Sequence, residues 1–321
     1  MSRILRRIGS LLASIVIVLW GAATLAFISF RLIPGDPVSV MLGPQAQVSE
    51  AVKDGIRAEL GLDRPVAVQY ADFLGRMLRG DLGESYQLRT PVVEVIGRQL
   101  GATVQLTLLA LLLAIVLALA AALLARRGVA RGIVIGLELV VLSSPVFWIG
   151  LVLLAVFAFG LGWFPVAGSR NPATLVLPAL TLALPVAALI GQVLRDGIDE
   201  AERQPFAETV RSRGAGHTRL TLHHTLRHGA AGALTLTAYL VGSLLGGAVL
   251  VETVFARPGI GSVTLTAITD RDLPVVTGVI MLSAAVFVIV NTVVELVHPL
   301  LDPRLRTAAP VIAAPALEER R

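Results

Sequence analysis

Residues 101–125 read GATVQLTLLALLLAIVLALAAALLA, twenty-five residues without a single charge. About 20 helical residues are enough to cross a hydrocarbon core of about 30 Å. One such run could be a buried helix in a large soluble protein. Five more follow the same rule, over 8–30, 132–160, 171–194, 229–251 and 273–294. Only the run 132–160 carries a charge, Glu138. The 321-residue chain is 55% hydrophobic and 15% charged, with mean hydropathy +0.80, so little polar surface remains to enclose six apolar runs in water. In lipid the backbone must satisfy its own hydrogen bonds, which makes each run a helix. Strands of about 10 alternating residues, the mark of a membrane barrel, are missing. The expected fold is an all-α polytopic membrane protein with six transmembrane helices.

The basic residues set the orientation. All 27 lie outside the six runs, and sixteen fall in 1–7, 126–131, 195–228 and 298–321. The long segment 31–100 holds eight more, balanced by nine acidic residues. Positive charge collects on the cytoplasmic side of short loops, which places both termini in the cytoplasm of a bacterial plasma (inner) membrane. The formal charge of +5 then reflects arginine flanking the spans, not nucleic-acid binding. Arg3, Arg6 and Arg7 precede a 23-residue apolar run, too long for a signal-peptide core, so we read 8–30 as an uncleaved first span.

Four regions follow. Residues 1–30 form the N-terminal end and first helix; 31–98 form a small extracytoplasmic segment; 99–297 form a five-helix core; 298–321 form a cytoplasmic tail. Pro34-Gly35-Asp36-Pro37 should end the first helix. Ser49 to Leu60 reads as a short amphipathic helix ended by Gly61, and 66–79 as a second one closed by Gly80. The segment 195–228 is long, polar and arginine-rich. Within it Asp199 to Ala215 reads as an amphipathic helix broken at Pro205, followed by a turn at Gly214 and Gly216 and a new helix from 218. Such a helix suits docking into a groove on a soluble partner, or lying flat on the membrane.

The residues exclude several chemistries. A phosphate-cradling loop needs Gly-x-x-x-x-Gly-Lys-Ser/Thr, but the only lysine, Lys53, precedes Asp54 and lacks those glycines. ATP would have to be used on another chain. Cysteine is absent, and His217, His223, His224 and His228 have no carboxylate close by in sequence to complete a metal set. No catalytic, cofactor or metal residue is therefore assigned, and the chain is not expected to be an enzyme. Intramembrane ionisable groups are functional candidates by default. Glu138 is expected to face a neighbouring helix or a cavity, or to lie near the cytoplasmic surface. Glu252 and Glu295 fall at span ends, where water is near. Asn291 is expected to join helices.

Glu208-Thr209-Val210 followed by Gly214 resembles the Glu-Ala-Ala, three residues, Gly signature of ATP-binding-cassette (ABC) importer permeases. Phe206 to Gly229 is similar to the dipeptide/oligopeptide/nickel branch. So are Leu32 to Pro37, Gly80-Asp81-Leu82-Gly83-Glu84-Ser85, Ser144 to Trp148, Leu161 to Pro165, Val251 to Phe255, Pro258-Gly259-Ile260-Gly261, Arg271 to Pro274 and Asp302-Pro303-Arg304. The nearest likeness is to the B-type subunit, with its long outer segment.

This resemblance implies a type I importer permease fold and a division of labour. A second, C-type permease completes the pathway. Two cytoplasmic ATPase subunits carry ATP and Mg, so this chain has no cofactor of its own. An extracytoplasmic binding protein delivers di- or oligopeptide, nickel or another small solute. Glu208, Thr209, Val210, Arg211, Gly214 and Ala215 would form the coupling element. Glu208 would orient that helix and Gly214 would permit the turn after it. Gly35, Asp36, Asp81, Glu252, Pro258, Gly259 and Asp272 would stand at the outer face, as contacts for the binding protein or as turn chemistry alone. An ion-gradient-driven transporter is the competing class, and would want several interior carboxylates.

Overall fold

The computed structural model describes residues 2–32, 37–42, 48–59, 61–125, 128–169 and 171–301. All regular elements among them are helical. Helix α1 (Ser2–Leu32) leads to three short helices, α2 (Pro37–Leu42), α3 (Glu50–Glu59) and α4 (Val66–Leu78). The core then comprises α5 (Val92–Leu124), α6 (Gly128–Ser143), α7 (Val146–Leu153), α8 (Val176–Glu202), α9 (Pro205–Ser212), α10 (His217–Leu220), α11 (Leu226–Val254), α12 (Ile260–Thr269) and α13 (Leu273–Leu301).

Four helices are straight enough and apolar enough to span alone: α1, α5, α8 (with the 3-10 turn Pro172–Leu175 before it) and α13. The third and fifth runs become spans only as bent pairs, which brings the number to six. The run 132–160 is the sharper case. It breaks by 113° between Ser143 and Val146, and α7 continues as a π-helix over Leu154–Gly160. Pro145 causes the break: its backbone is extended at φ −60°, ψ 140°, and it has no N–H to continue the α6 ladder. The fifth run bends by 45° between Thr237 and Tyr239.

Helix α8 is the axis of the core. Its neighbour α5 presents Thr103, Leu106, Ala110, Ala114, Ala118 and Ala122 in steps of three and four along one buried stripe. Lipid offers no hydrophobic drive for helices to associate, so membrane helices pack through small residues that let backbones approach. On its other side α8 meets α11. The two cross at Gly197 and Gly229, where a Cβ on Gly197 would lie 2.6 Å from the Gly229 Cα. A second, smaller apolar cluster (Val92, Val95, Ile96, Ile260, Ala267, Val275 and Val279) joins the start of α5 to α12 and α13.

The segment between α1 and α5 holds the two expected helices, α3 and α4, and Gly61 and Gly80 end them at φ +65° and +75°. Helix α4 is fastened to α1 by Phe27 against Tyr70 and Phe73 (ring centroids 5.1 and 5.5 Å apart) and by the Thr24 and Tyr70 hydroxyls at 2.7 Å.

Three expectations need correcting. Helix α8 runs on to Glu202, so Arg195 is a buried helix residue and not part of a polar loop. Helix α12 was not foreseen; the sequence showed only a loop there. Among the described residues Asn291 bonds within its own helix rather than across helices: its exposed amide donates to the Phe287 carbonyl one turn back (3.0 Å). The tail from residue 302 and the side chain of Glu295 lie outside the described residues.

Candidate functional site

Two carboxylates mark the end of the fifth span and the start of the sixth. Glu252, in the last turn of α11, is fully buried. Its expected contact with water is therefore wrong, because the chain folds back over it as α12. Thr103 of α5 donates its hydroxyl to Oε1 (2.6 Å), and the Gly261 N–H donates to Oε2 (2.7 Å). The Thr103 oxygen in turn accepts the Ile260 N–H (2.9 Å). The Glu252 side chain thus meets the first amides of α12, whose N–H groups have no partner within the helix. The glycines make room. A Cβ on Gly259 would lie 2.1 Å from a Glu252 oxygen, and one on Gly261 would lie 2.3 Å from the Val249 Cα. The Gly259 backbone is extended (φ 173°), so space and not conformation requires glycine there. Pro258 is half-buried in the same corner. Arg257 is also buried; that burial pulls its guanidinium below the ordinary arginine value, and nearby Glu252 opposes the shift.

Asp272 caps the next junction. Its carboxylate accepts the Ser85 hydroxyl in a very short bond, and the amides of Tyr86 (3.1 Å) and Gln87 (3.4 Å). This ties the loop after Gly80-Asp81-Leu82-Gly83 to the start of α13. Burial, then the Asp272 charge, raises the Tyr86 hydroxyl above its usual value, with Arg76 opposing. Asp81 itself is exposed and accepts the Gly83 N–H in a local turn (2.9 Å). Between this loop, α12 and α13 lies a shallow cleft edged by Leu88, Val263, Thr266 and Asp270. Asp81, Glu252, Pro258, Gly259 and Asp272 therefore cluster along one set of connections. Gly35 and Asp36 lie outside the described residues.

At the other end of α8, residues 203–204 turn the chain into α9, which Pro205 opens at its first position. Ala207 is its buried anchor, while Glu208, Thr209 and Arg211 are exposed and Val210 is partly so. Arg211 reaches back to Glu202 (3.6 Å), and the Phe206 ring stacks on His228 (4.9 Å). Gly214 takes φ +80°, in the left-handed region that favours glycine. Its N–H donates to the Arg211 carbonyl (3.0 Å), and the Ala215 N–H to that of Val210 (3.3 Å). This is the αL end that closes a helix and reverses the chain. His223 is exposed, and the His217 side chain lies outside the described residues.

Glu138 meets Arg195 through a two-pronged ion pair, with N–O distances of 2.8 and 2.5 Å. Composition and spacing did not reveal this partnership, since the two residues are 57 positions apart. The signal was available: a carboxylate alone in an apolar run calls for a cation in the neighbouring helix. In both Glu138 and Glu252 each oxygen is engaged by a protein donor, an arrangement suited to holding helices in place.

Residues 111–307 match the family described as binding-protein-dependent transport system inner membrane component, and 1–107 match the N-terminal part of such membrane components. The di/tripeptide transport system permease protein DppB of Pseudomonas aeruginosa (strain UCBPP-PA14) is 35% identical over 337 aligned residues, covering 95% of this chain and 99% of that protein. A Brucella abortus (strain 2308) protein named for a peptide transport system permease is 34% identical, covering 94% and 98%. A Sinorhizobium fredii protein named for a peptide ABC transporter permease is 33% identical, again covering 94% and 98%. The chain is a multi-pass inner-membrane protein and belongs to the family of binding-protein-dependent transport system inner membrane components.

Proposed function

We propose that this chain is the B-type permease subunit of an ABC importer for di- or oligopeptides. It forms half of a translocation pathway with a second, C-type permease. Helix α9 docks into one of two cytoplasmic ATPase subunits, which bind ATP and Mg and perform the hydrolysis. An extracytoplasmic binding protein presents peptide to the connections around Asp81, Glu252, Pro258, Gly259 and Asp272. Both termini are cytoplasmic, and the chain itself is not an enzyme.

The observation that carries this reading is the geometry of α9. It is a short helix held at one buried alanine, with Glu208, Thr209 and Arg211 facing outward, and it ends at a left-handed glycine. It hangs between two spans that touch backbone to backbone at Gly197 and Gly229. A push on α9 therefore reaches α8 and α11 together. The peptide cargo of the relatives supports the substrate class.

The test is reconstitution with the partner permease, ATPases and binding protein in proteoliposomes. Uptake of a labelled dipeptide should require internal ATP and ignore an uncoupler. Uptake that survives ATP depletion and stops with the uncoupler would overturn the reading in favour of an ion-driven transporter.

A further inference from the structure

Helix α6 carries apolar side chains along its length, yet among its described residues the buried one is Glu138. Val129, Ile133, Leu137, Leu139 and Val140 are all exposed. An apolar side chain gains little by leaving lipid for protein, because lipid tails are as apolar as leucine. Val134, Ile135, Val141 and Leu142 are only half-buried, so the apolar contact of α6 with the body is partial among the described residues. The fully buried link is ionic. The Glu138 and Arg195 side chains are 7% and 6% exposed and joined by two bonds. One turn further along α8, Asp199 accepts from Arg131 of α6 (2.8 Å), in a pair about one third exposed. Gly191 and Ala118 make space for the inner pair; a Cβ on Gly191 would lie 3.2 Å from the Glu138 carboxylate.

The far end of the same segment is also anchored. After the 113° bend, α7 places Gly150 where a Cβ would lie 3.2 Å from both the Phe255 ring and the Thr181 methyl. Phe255 follows Glu252 by three residues and belongs to the corner between α11 and α12. So α6 and α7 form a strap. One end is clasped to α8 nearly three turns before α9 begins, and the other is seated against the corner that carries α12.

We propose that Glu138 and Arg195 are positioning residues for energy coupling: their clasp makes the α6–α7 strap follow α8, so that displacement of α9 is delivered to the outer corner. Apolar contacts in lipid slip at little cost, whereas separating this pair would leave a charge unpaired in hydrocarbon. The clasp therefore transmits motion where the exposed apolar face of α6 does not. This inference rests on the reading of α9 as the ATPase-docking helix.

The test uses the whole importer in proteoliposomes, reading basal ATPase activity, binding-protein-stimulated ATPase activity and labelled dipeptide taken up per ATP. Glu138→Gln should keep basal hydrolysis and lower uptake per ATP by about tenfold, the size of an ordinary coupling effect. The swap Glu138→Arg with Arg195→Glu should restore most of it, as the pair and not either residue matters. If Glu138→Gln does not assemble, the neutral pair Glu138→Gln with Arg195→Gln decides, because it strands no charge. Wild-type uptake per ATP in Glu138→Gln or in the neutral pair would overturn the proposal. So would a swap variant that assembles and hydrolyses ATP yet stays uncoupled. Failure of the underlying reading looks different: the wild-type complex itself would then show no ATP-driven uptake.

Discussion

Glu252 and Glu138 are both buried carboxylates, one in the last turn of α11 and one within α6, and the protein satisfies them in different ways. Glu252 takes a hydroxyl from α5 and an amide nine residues along its own chain. Its partners are dipoles, and two glycines without room for a Cβ hold the backbone around it. Glu138 takes a full countercharge from another helix. The Glu252 arrangement fixes the corner between α11 and α12 and also ties it to α5, 149 residues away in sequence. The Glu138 one joins two long helices that can then move only together. A buried acid can serve as a fastening in either way, and each reaches a distant helix, but only the Glu138 tie sets charge against charge.

The largest effect should come from the glycines of the corner between α11 and α12. Gly261→Ala places a Cβ 2.3 Å from the backbone of Val249, which no rotamer relieves. We expect loss of the folded chain, a cost of about 4 kcal/mol or more, seen as disappearance of the monodisperse peak in detergent. Gly242→Ala, where the added Cβ meets nothing within 4 Å, should leave that peak intact.

Next comes the contrast between the two acids. Glu138→Ala strands Arg195 and should cost about 3–5 kcal/mol. Glu252→Gln keeps an oxygen acceptor but mispairs one donor, and should cost about 1–3 kcal/mol. Melting temperatures of the two variants in the same detergent give the order; the reverse order would break the comparison. Asp272→Asn weakens the bonds to Ser85 and the Tyr86 and Gln87 amides, and should cost about 1–2 kcal/mol while exposing the 85–90 loop to protease. Gly214→Val forces a branched residue to φ +80°, a strain of about 1–2 kcal/mol confined to the end of α9. Insertion should survive and ATP-driven uptake should not. Arg98→Ala breaks an exposed pair with Glu94 and should change the melting temperature hardly at all, a cost of about 0.5 kcal/mol or less.

The spans were legible because charge-free runs of helical length have one physical meaning in a chain this apolar. So was α9, from Pro205, the amphipathic stretch and the glycine after it. What stayed hidden depended on tertiary return. Ending the fourth span at the first charge assigned Arg195 to a loop, since its partner lies on a different helix. The apolar run stops at Val251, so Glu252 read as a surface residue; only the fold-back of α12 buries it. The bend at Pro145 hid inside a run whose composition never changes. Of the candidate site residues, Asp272 and Gly259 were chosen from resemblance. Their physical reasons, a loop clasp and a glycine against a carboxylate, emerge only in three dimensions.

The central claim, that α9 is the contact with an ATPase, has a direct test because the chain contains no cysteine. Thr209→Cys puts a single thiol on the exposed face of α9, and Tyr239→Cys puts one on an exposed position of α11. In membranes holding the complete importer, a short reagent reactive toward a thiol at one end and an amine at the other should join Thr209→Cys to the ATPase subunit, and ATP should change the yield. Tyr239→Cys should give no such product. Absence of the ATPase product from Thr209→Cys in an importer that transports normally, or an equal yield from Tyr239→Cys, would contradict the account.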